Sequence, residues 1–225
     1  MEAPSKPGAR RRGRPRSFDR EVVLGRAMRV FWERGYEGTS IADLLRAMEI
    51  TPPSLYAAFG SKEQLFRDAI AYYSRVESAA SAEAMRQDGS ARDTIERILR
   101  SNADAYTDPD KPSGCMVVLC ATIGPPASES VRAFLAAQRG LGQDEIQHRL
   151  EVAVTEGELP NGTDTAGMAL FYTTVLQGMS LQARDGAARA ALHRIVDGAM
   201  AAWSTLAAPA RTTRRAAGSA PANGR

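Results

Sequence analysis

A chain of 225 residues with 44% apolar content can bury a core without disulfides or metals, and its two cysteines, Cys115 and Cys120, are neither a disulfide framework nor accompanied by the partners of a zinc site. No apolar stretch follows the arginine-rich start, and no segment approaches the ~18 consecutive apolar residues of a membrane helix, so a signal peptide and membrane insertion are not expected and the chain reads as reduced and cytoplasmic. The net charge of +3 is unevenly spread: residues 1–66 carry 12 basic and 8 acidic side chains, residues 67–210 carry 13 and 18, and residues 211–225 carry 4 and none, a pattern that suits one polyanion-binding end on an acidic body.

Residues 1–17 are rich in Pro, Gly and Arg and are expected to form a disordered basic arm. Arg14 and Arg16 in it can follow a narrow minor groove. A first helix begins near Asp19, with Val23, Ala27, Val30 and Phe31 on one face, and stops at Gly35 and Gly38. Thr39 and Ser40 cap a second helix, with Asp43 completing a capping box and Ile41, Leu44, Leu45 and Met48 on its apolar stripe. Thr51 as N-cap and Pro52 as first helical residue open a third, short helix that ends at Phe59 and Gly60. Ser61 and Gln64 start a long helix carrying Leu65, Ala69, Tyr72 and Val76, expected to run to about Met85. After the break at Asp88, Gly89 and Ser90, another helix carries Ile95, Ile98, Leu99 and Tyr106. Residues 114–124 form an apolar run whose period suits a buried strand or a buried helix; with no second strand to pair with, it is read as helix. A long helix from Ser128 to about Glu156, then helices over roughly 164–184 and 187–206, bring the expected count to nine in an all-α fold. The tail, 209–225, is expected to be a disordered basic segment.

The second and third helices, joined by Met48, Glu49, Ile50 and Thr51, have the lengths and tight turn of a helix-turn-helix. In that motif the second helix enters the major groove with its first residues at the bases. Here those residues are Thr51, Pro52, Pro53 and Ser54, and the hydroxyls of Thr51 and Ser54 can bond phosphate or base edges. Tyr56 and Lys62 offer a further hydroxyl and a cation. On spacing alone, a hairpin of this kind also fits proteins that never touch DNA.

The run Gly35-Tyr36, Thr39-Ser40-Ile41-Ala42-Asp43, Ser54-Leu55-Tyr56, Phe59 and Ser61-Lys62-Glu63-Gln64-Leu65 resembles the DNA-binding head of TetR-family regulators, over about residues 18–66. The resemblance implies that Thr39 orients the second helix at the DNA backbone beside Ser40, that the third helix reads bases, and that Tyr56 and Lys62 clasp phosphate. It further implies a helical body of residues 67–208 that binds a small-molecule effector and pairs into a homodimer through the last two helices. The chain departs from the family where a small residue and Gly-Val usually precede the recognition helix, here Met48-Glu49-Ile50, and at Pro53, where a Gly is usual.

Residues 164–206 are apolar on more than one face, which a monomer would leave exposed. Leu170, Thr174, Gly178, Leu181, Leu192, Ile195, Val196, Ala199 and Trp203 are the candidate dimer contacts. A two-fold dimer of such heads binds a near-palindromic operator with half-sites roughly 34–36 Å apart or a multiple of it. Tyr106, Met116, Cys120, Phe134, Phe171, Tyr172, Val175, Gln177 and Met179 are candidates for an adaptable, mostly apolar effector pocket, and each also reads as ordinary core. The expected function is a repressor released from its operator by a small apolar or aromatic effector. Two alternatives share the head: a DNA-binding adaptor without a ligand, and a thiol-based redox or electrophile sensor using Cys115 and Cys120. With two His and none of the common nucleophile, metalloprotease or nucleotide-binding motifs, neither catalysis nor a cofactor nor a metal is expected.

Overall fold

In a computed structural model, residues 18–120 and 124–209 are described. Among them the regular structure is helical: α1 (Arg20–Arg34), α2 (Ile41–Met48), α3 (Pro52–Phe59), α4 (Lys62–Glu77), α5 (Ala79–Arg86), α6 (Ala91–Tyr106), α7 (Met116–Leu119), α8 (Glu129–Thr155), α9 (Thr165–Arg184), α10 (Arg189–Ala201) and α11 (Trp203–Leu206). No helix among them is long and apolar enough to cross a membrane.

Local chemistry explains most of the boundaries. The Asp19 carboxylate accepts from the backbone N–H of Glu21 at 2.9 Å and starts α1. Ser40 and Asp43 form the full capping box of α2, the Ser40 hydroxyl accepting from Asp43 N–H at 3.1 Å and the Asp43 carboxylate accepting from Ser40 N–H at 3.1 Å. At Ser61 only half of the expected box forms: its hydroxyl accepts from Gln64 N–H, while the Gln64 amide turns to Asp68 instead.

Two cores result. The first is built from α1 to α4 around Phe31, Leu44, Leu55, Leu65 and Phe66, with Phe31 and Phe66 edge to face at 5.0 Å between centroids. It also draws in Met116, Cys120, Val131 and Leu135, so it does not end where the third helix does. The second core packs α6, α8, α9 and α10 around Leu99, Leu150, Tyr172, Leu192 and Val196.

Three expected helices come out differently. The long helix after Ser61 breaks at Ser78, which separates α4 from α5. The last helix starts at Arg189 and breaks at Ala202 before α11. The run from 114 holds one helical turn, α7, because its backbone is engaged elsewhere. The indole N–H of Trp32 donates to the Gly114 carbonyl at 3.0 Å, the backbone N–H of Tyr36 donates to the Cys120 carbonyl at 3.1 Å, and the Ser180 hydroxyl accepts from Cys115 N–H at 2.8 Å. Residues 114–120 therefore strap the end of α1 to α9.

Candidate nucleic-acid interface

Leu55 and Phe59 anchor α3 in the first core, one turn apart. The opposite face of α3 carries Pro52, Pro53, Tyr56 and Ala57, all exposed, and Tyr56 is 50% exposed. Thr51 is exposed and Ser54 half-buried; their hydroxyls lie 3.0 Å apart and bond one another rather than capping the helix. Pro52 and Pro53, at the first two helical positions, supply no N–H.

The neighbouring helices carry two cations in different settings, Arg46 on α2 and Lys62 at the start of α4. Lys62 is half-buried with its ammonium 4.2 Å from the centroid of the Tyr36 ring. Burial holds its pKa below the ordinary lysine value, against the opposing pull of Glu37. Arg46, on the exposed side of α2, makes only a loose 3.8 Å contact with Asp43. The sequence reading passed over Arg46 and Ala57. Helical spacing contained the signal, since Arg46 lies off the Leu44 and Met48 stripe, and Ala57 lies one turn from Pro53.

Among the nominated DNA contacts, Ser40, Thr51, Pro52, Pro53 and Tyr56 stand exposed on α2 and α3 or their caps. Arg14 and Arg16, and the basic tail beyond residue 209, lie outside the described residues. Thr39 is turned inward. The residue is 1% exposed, and its hydroxyl donates to the Gly35 carbonyl at 2.7 Å, satisfying a carbonyl left open where α1 stops.

Glu49 takes the left-handed conformation at the C-terminus of α2, φ 56° and ψ 41°, a geometry that costs a non-glycine residue about 1–2 kcal/mol. Its carboxylate meets Arg26 at 2.7 Å in an exposed pair, which offsets little of that cost. Glu49→Gly is therefore expected to stabilise the protein by about 0.5–1 kcal/mol and to tighten DNA binding by removing an acid and freeing Arg26. Chemical denaturation and a titration with DNA measure both effects; a lowered midpoint would contradict the strain at this turn.

The pocket candidates are spread over both cores. Met116, Cys120 and Phe134 belong to the first core, while Tyr106, Tyr172 and Met179 sit in the second with Phe171 and Val175 at its margin. Gln177 is half-buried on α9. The two cores meet at Cys115. A cleft of about 590 Å³ opens along α5 and α6, lined by polar side chains including Asp93, Glu96, Arg97, Arg100 and Asp104. One of about 240 Å³ lies between α1 and α4. No nominated residue lines either.

The cysteines differ. Cys120 is buried, donates to the Phe31 carbonyl at 3.1 Å, and burial pushes its thiol up to about 12, so it is not a ready thiolate. Cys115 is half-buried at the seam of the two cores. Among the described residues, no group of three or more His, Cys, Asp or Glu is placed to hold a metal ion.

The dimer candidates also divide. Leu192, Val196, Ala199 and Trp203 are buried in the chain's own second core, a correction with a simple cause: α10 lies on α6 and α9, so its most apolar stripe packs inward. Leu170, Thr174 and Gly178, with Leu181 and Ile195, remain exposed on α9 and α10.

Comparison with known proteins matches residues 23–69 to the profile described as bacterial regulatory proteins, tetR family. Residues 91–199 match the tetracyclin repressor-like C-terminal domain. The chain is 33% identical over 196 residues to the HTH-type transcriptional repressor ComR of Escherichia coli K12, spanning 87% of this chain and 93% of the relative. It is 36% identical over 158 residues to the HTH-type transcriptional regulator YezE of Bacillus subtilis 168, spanning 70% and 81%. Among solved structures, a cysteine-mutant form of the TetR family regulator CifR, complexed with 26-bp double-strand operator DNA, superposes with a TM-score of 0.82 at 46% identity, covering 84% of this chain and 100% of that one.

Proposed function

Because this chain belongs to the TetR family of bacterial regulatory proteins, we propose that it is a transcriptional repressor that binds a near-palindromic operator as a homodimer and leaves it when the body takes up a small molecule. The observation that carries this reading is α3: a short helix held from behind by Leu55 and Phe59, with Pro52, Pro53, Tyr56 and Ala57 free on its outer face. The repressor ComR and the operator-bound CifR support the same reading for a chain of this sequence. A repressor of this kind works on DNA in the cytoplasm without catalysing a reaction.

The head is residues 18–66 and the body 67–208, as a division of labour. Thr51, Ser54, Tyr56 and Lys62 meet the DNA, with Arg46 added on the phosphate backbone. The exposed Leu170, Thr174, Gly178, Leu181 and Ile195 meet a second copy, forming a four-helix bundle from two α9–α10 hairpins. An effector in the body acts on the spacing of the two heads; a coupling of roughly 1–3 kcal/mol changes DNA affinity ~5–150-fold. Its apolar or aromatic character rests on the methionine and aromatic side chains of the second core. The path to the head runs through α4 and through the strap at 114–120.

Selection of binding sites from a random DNA pool tests this, with Tyr56→Phe in parallel. The expected result is a two-fold symmetric site that Tyr56→Phe binds about tenfold more weakly, the worth of one hydroxyl on a charged phosphate. Binding that falls with salt but enriches no sequence would sink the reading.

A further inference from the structure

We infer that α3 selects its operator by apolar contact between Pro53 and Ala57 and the 5-methyl groups of thymines in the major groove; this rests on the DNA-binding reading above. The helix reads Pro-Pro-Ser-Leu-Tyr-Ala-Ala-Phe and carries no Arg, Lys, Asn or Gln. It therefore lacks the forked side chains that bond guanine or adenine edges in pairs. The two hydroxyls at the start of α3, Thr51 and Ser54, hydrogen-bond each other, and the adjacent prolines withdraw two of the N–H donors that a helix start normally offers.

Apart from the Tyr56 hydroxyl, assigned above to phosphate, what remains on the outer face is carbon. Pro53 and Ala57 are four residues apart, one above the other on the helix, and both are exposed. Pro52 and Tyr56 form the parallel row beside them. In the major groove thymine alone among the bases presents a methyl group, and a small apolar side chain is its complement. The small size of Pro53 and Ala57 lets the helix backbone come close to the base edges, while Arg46 and Lys62 supply the phosphate contacts that hold the register. The departure from the family at Pro53 thus becomes the specificity element.

The test uses the full-length protein and the site it selects from a random pool, with each thymine replaced singly by deoxyuridine, which removes only the methyl. Affinity is expected to fall about fourfold at the thymines under Pro53 and Ala57, the worth of one buried carbon, and to stay unchanged at the others. In Ala57→Ser, checked for its fold by circular dichroism, the penalty at one of these thymines is expected to vanish. Sequence-specific binding that ignores every deoxyuridine, or a selected site with guanine where α3 docks, overturns this inference and leaves the repressor reading standing. Sequence-blind binding overturns both.

Discussion

Leu181→Glu is expected to turn the dimer into a monomer and to weaken operator binding at least about a hundredfold. Leu170 and Leu181 on α9 and Ile195 on α10 are 56%, 51% and 38% exposed. Large apolar side chains gathered on neighbouring helices are what a partner surface covers. Gly178, between the two leucines on the same helix face, has open space where a side chain would stand, so a partner helix can approach closely. In a two-fold dimer through this face Leu181 is covered by apolar side chains of the second copy. Glutamate there puts a charge into an apolar contact, losing burial and adding desolvation. Once the heads are uncoupled, each half-site is bound alone and the gain from linkage, commonly about 10²–10⁴-fold, disappears. Sedimentation and operator titration measure the two effects. Since Leu181 points away from the second core, the variant should keep its helical content, and a variant that stays dimeric would place the interface elsewhere.

The second large effect concerns the strap. Gly114 has φ +78°, and a Cβ on it would lie 2.6 Å from the Ser180 carbonyl and 2.6 Å from Leu119 Cδ1. Gly114→Ala must carry left-handed strain of about 1–2 kcal/mol and displace backbone in a filled space for about 1–3 kcal/mol more. The Trp32 bond to the Gly114 carbonyl and the Cys115 bond to the Ser180 hydroxyl cross the same point. Gly114→Ala is therefore expected to cost about 2–5 kcal/mol and to lower the melting temperature by roughly 10 °C. It should also weaken any transmission of effector binding to the head. Gly140→Ala, within α8 and with open space at its Cβ, serves as the contrast. There the change should raise stability by up to about 1 kcal/mol. Equal melting temperatures for the two variants would mean that the strap is not held as tightly as its contacts indicate.

The head was legible in the sequence because its instructions are local. Asp19, Ser40 with Asp43, Pro52 and Gly60 each act on the backbone within a few residues of themselves, and the apolar stripe of α2 needs only the helical period. That is why the helix-turn-helix and the place of Tyr56 in it could be read from residues 39–66 alone. The left-handed turn at Glu49 was visible only as a departure from a family pattern, since a glutamate does not announce a positive φ.

The body depended on what lies far away in the chain. The apolar run at 114–120 holds one helical turn because Trp32, Tyr36 and Ser180, from other helices, take up its polar backbone groups. Leu192, Val196 and Trp203 form a stripe that the helical period alone can aim at a partner or at the chain's own core; the packing of α10 on α6 and α9 decided for the core and left Ile195 outside. In the same way, Met116 packs with the first core and Tyr106 with the second, a division that their apolar character does not announce. Periodicity states that a face is apolar and says nothing of what covers it. Helical class, capped head and family were legible in single segments, because those follow from nearest-neighbour chemistry and a short ordered motif. Which apolar face turned inward, which stayed exposed, and where the chain was strapped across from α1 to α9 were settled by packing between helices, because burial is a property of pairs of elements and no single segment encodes its partner.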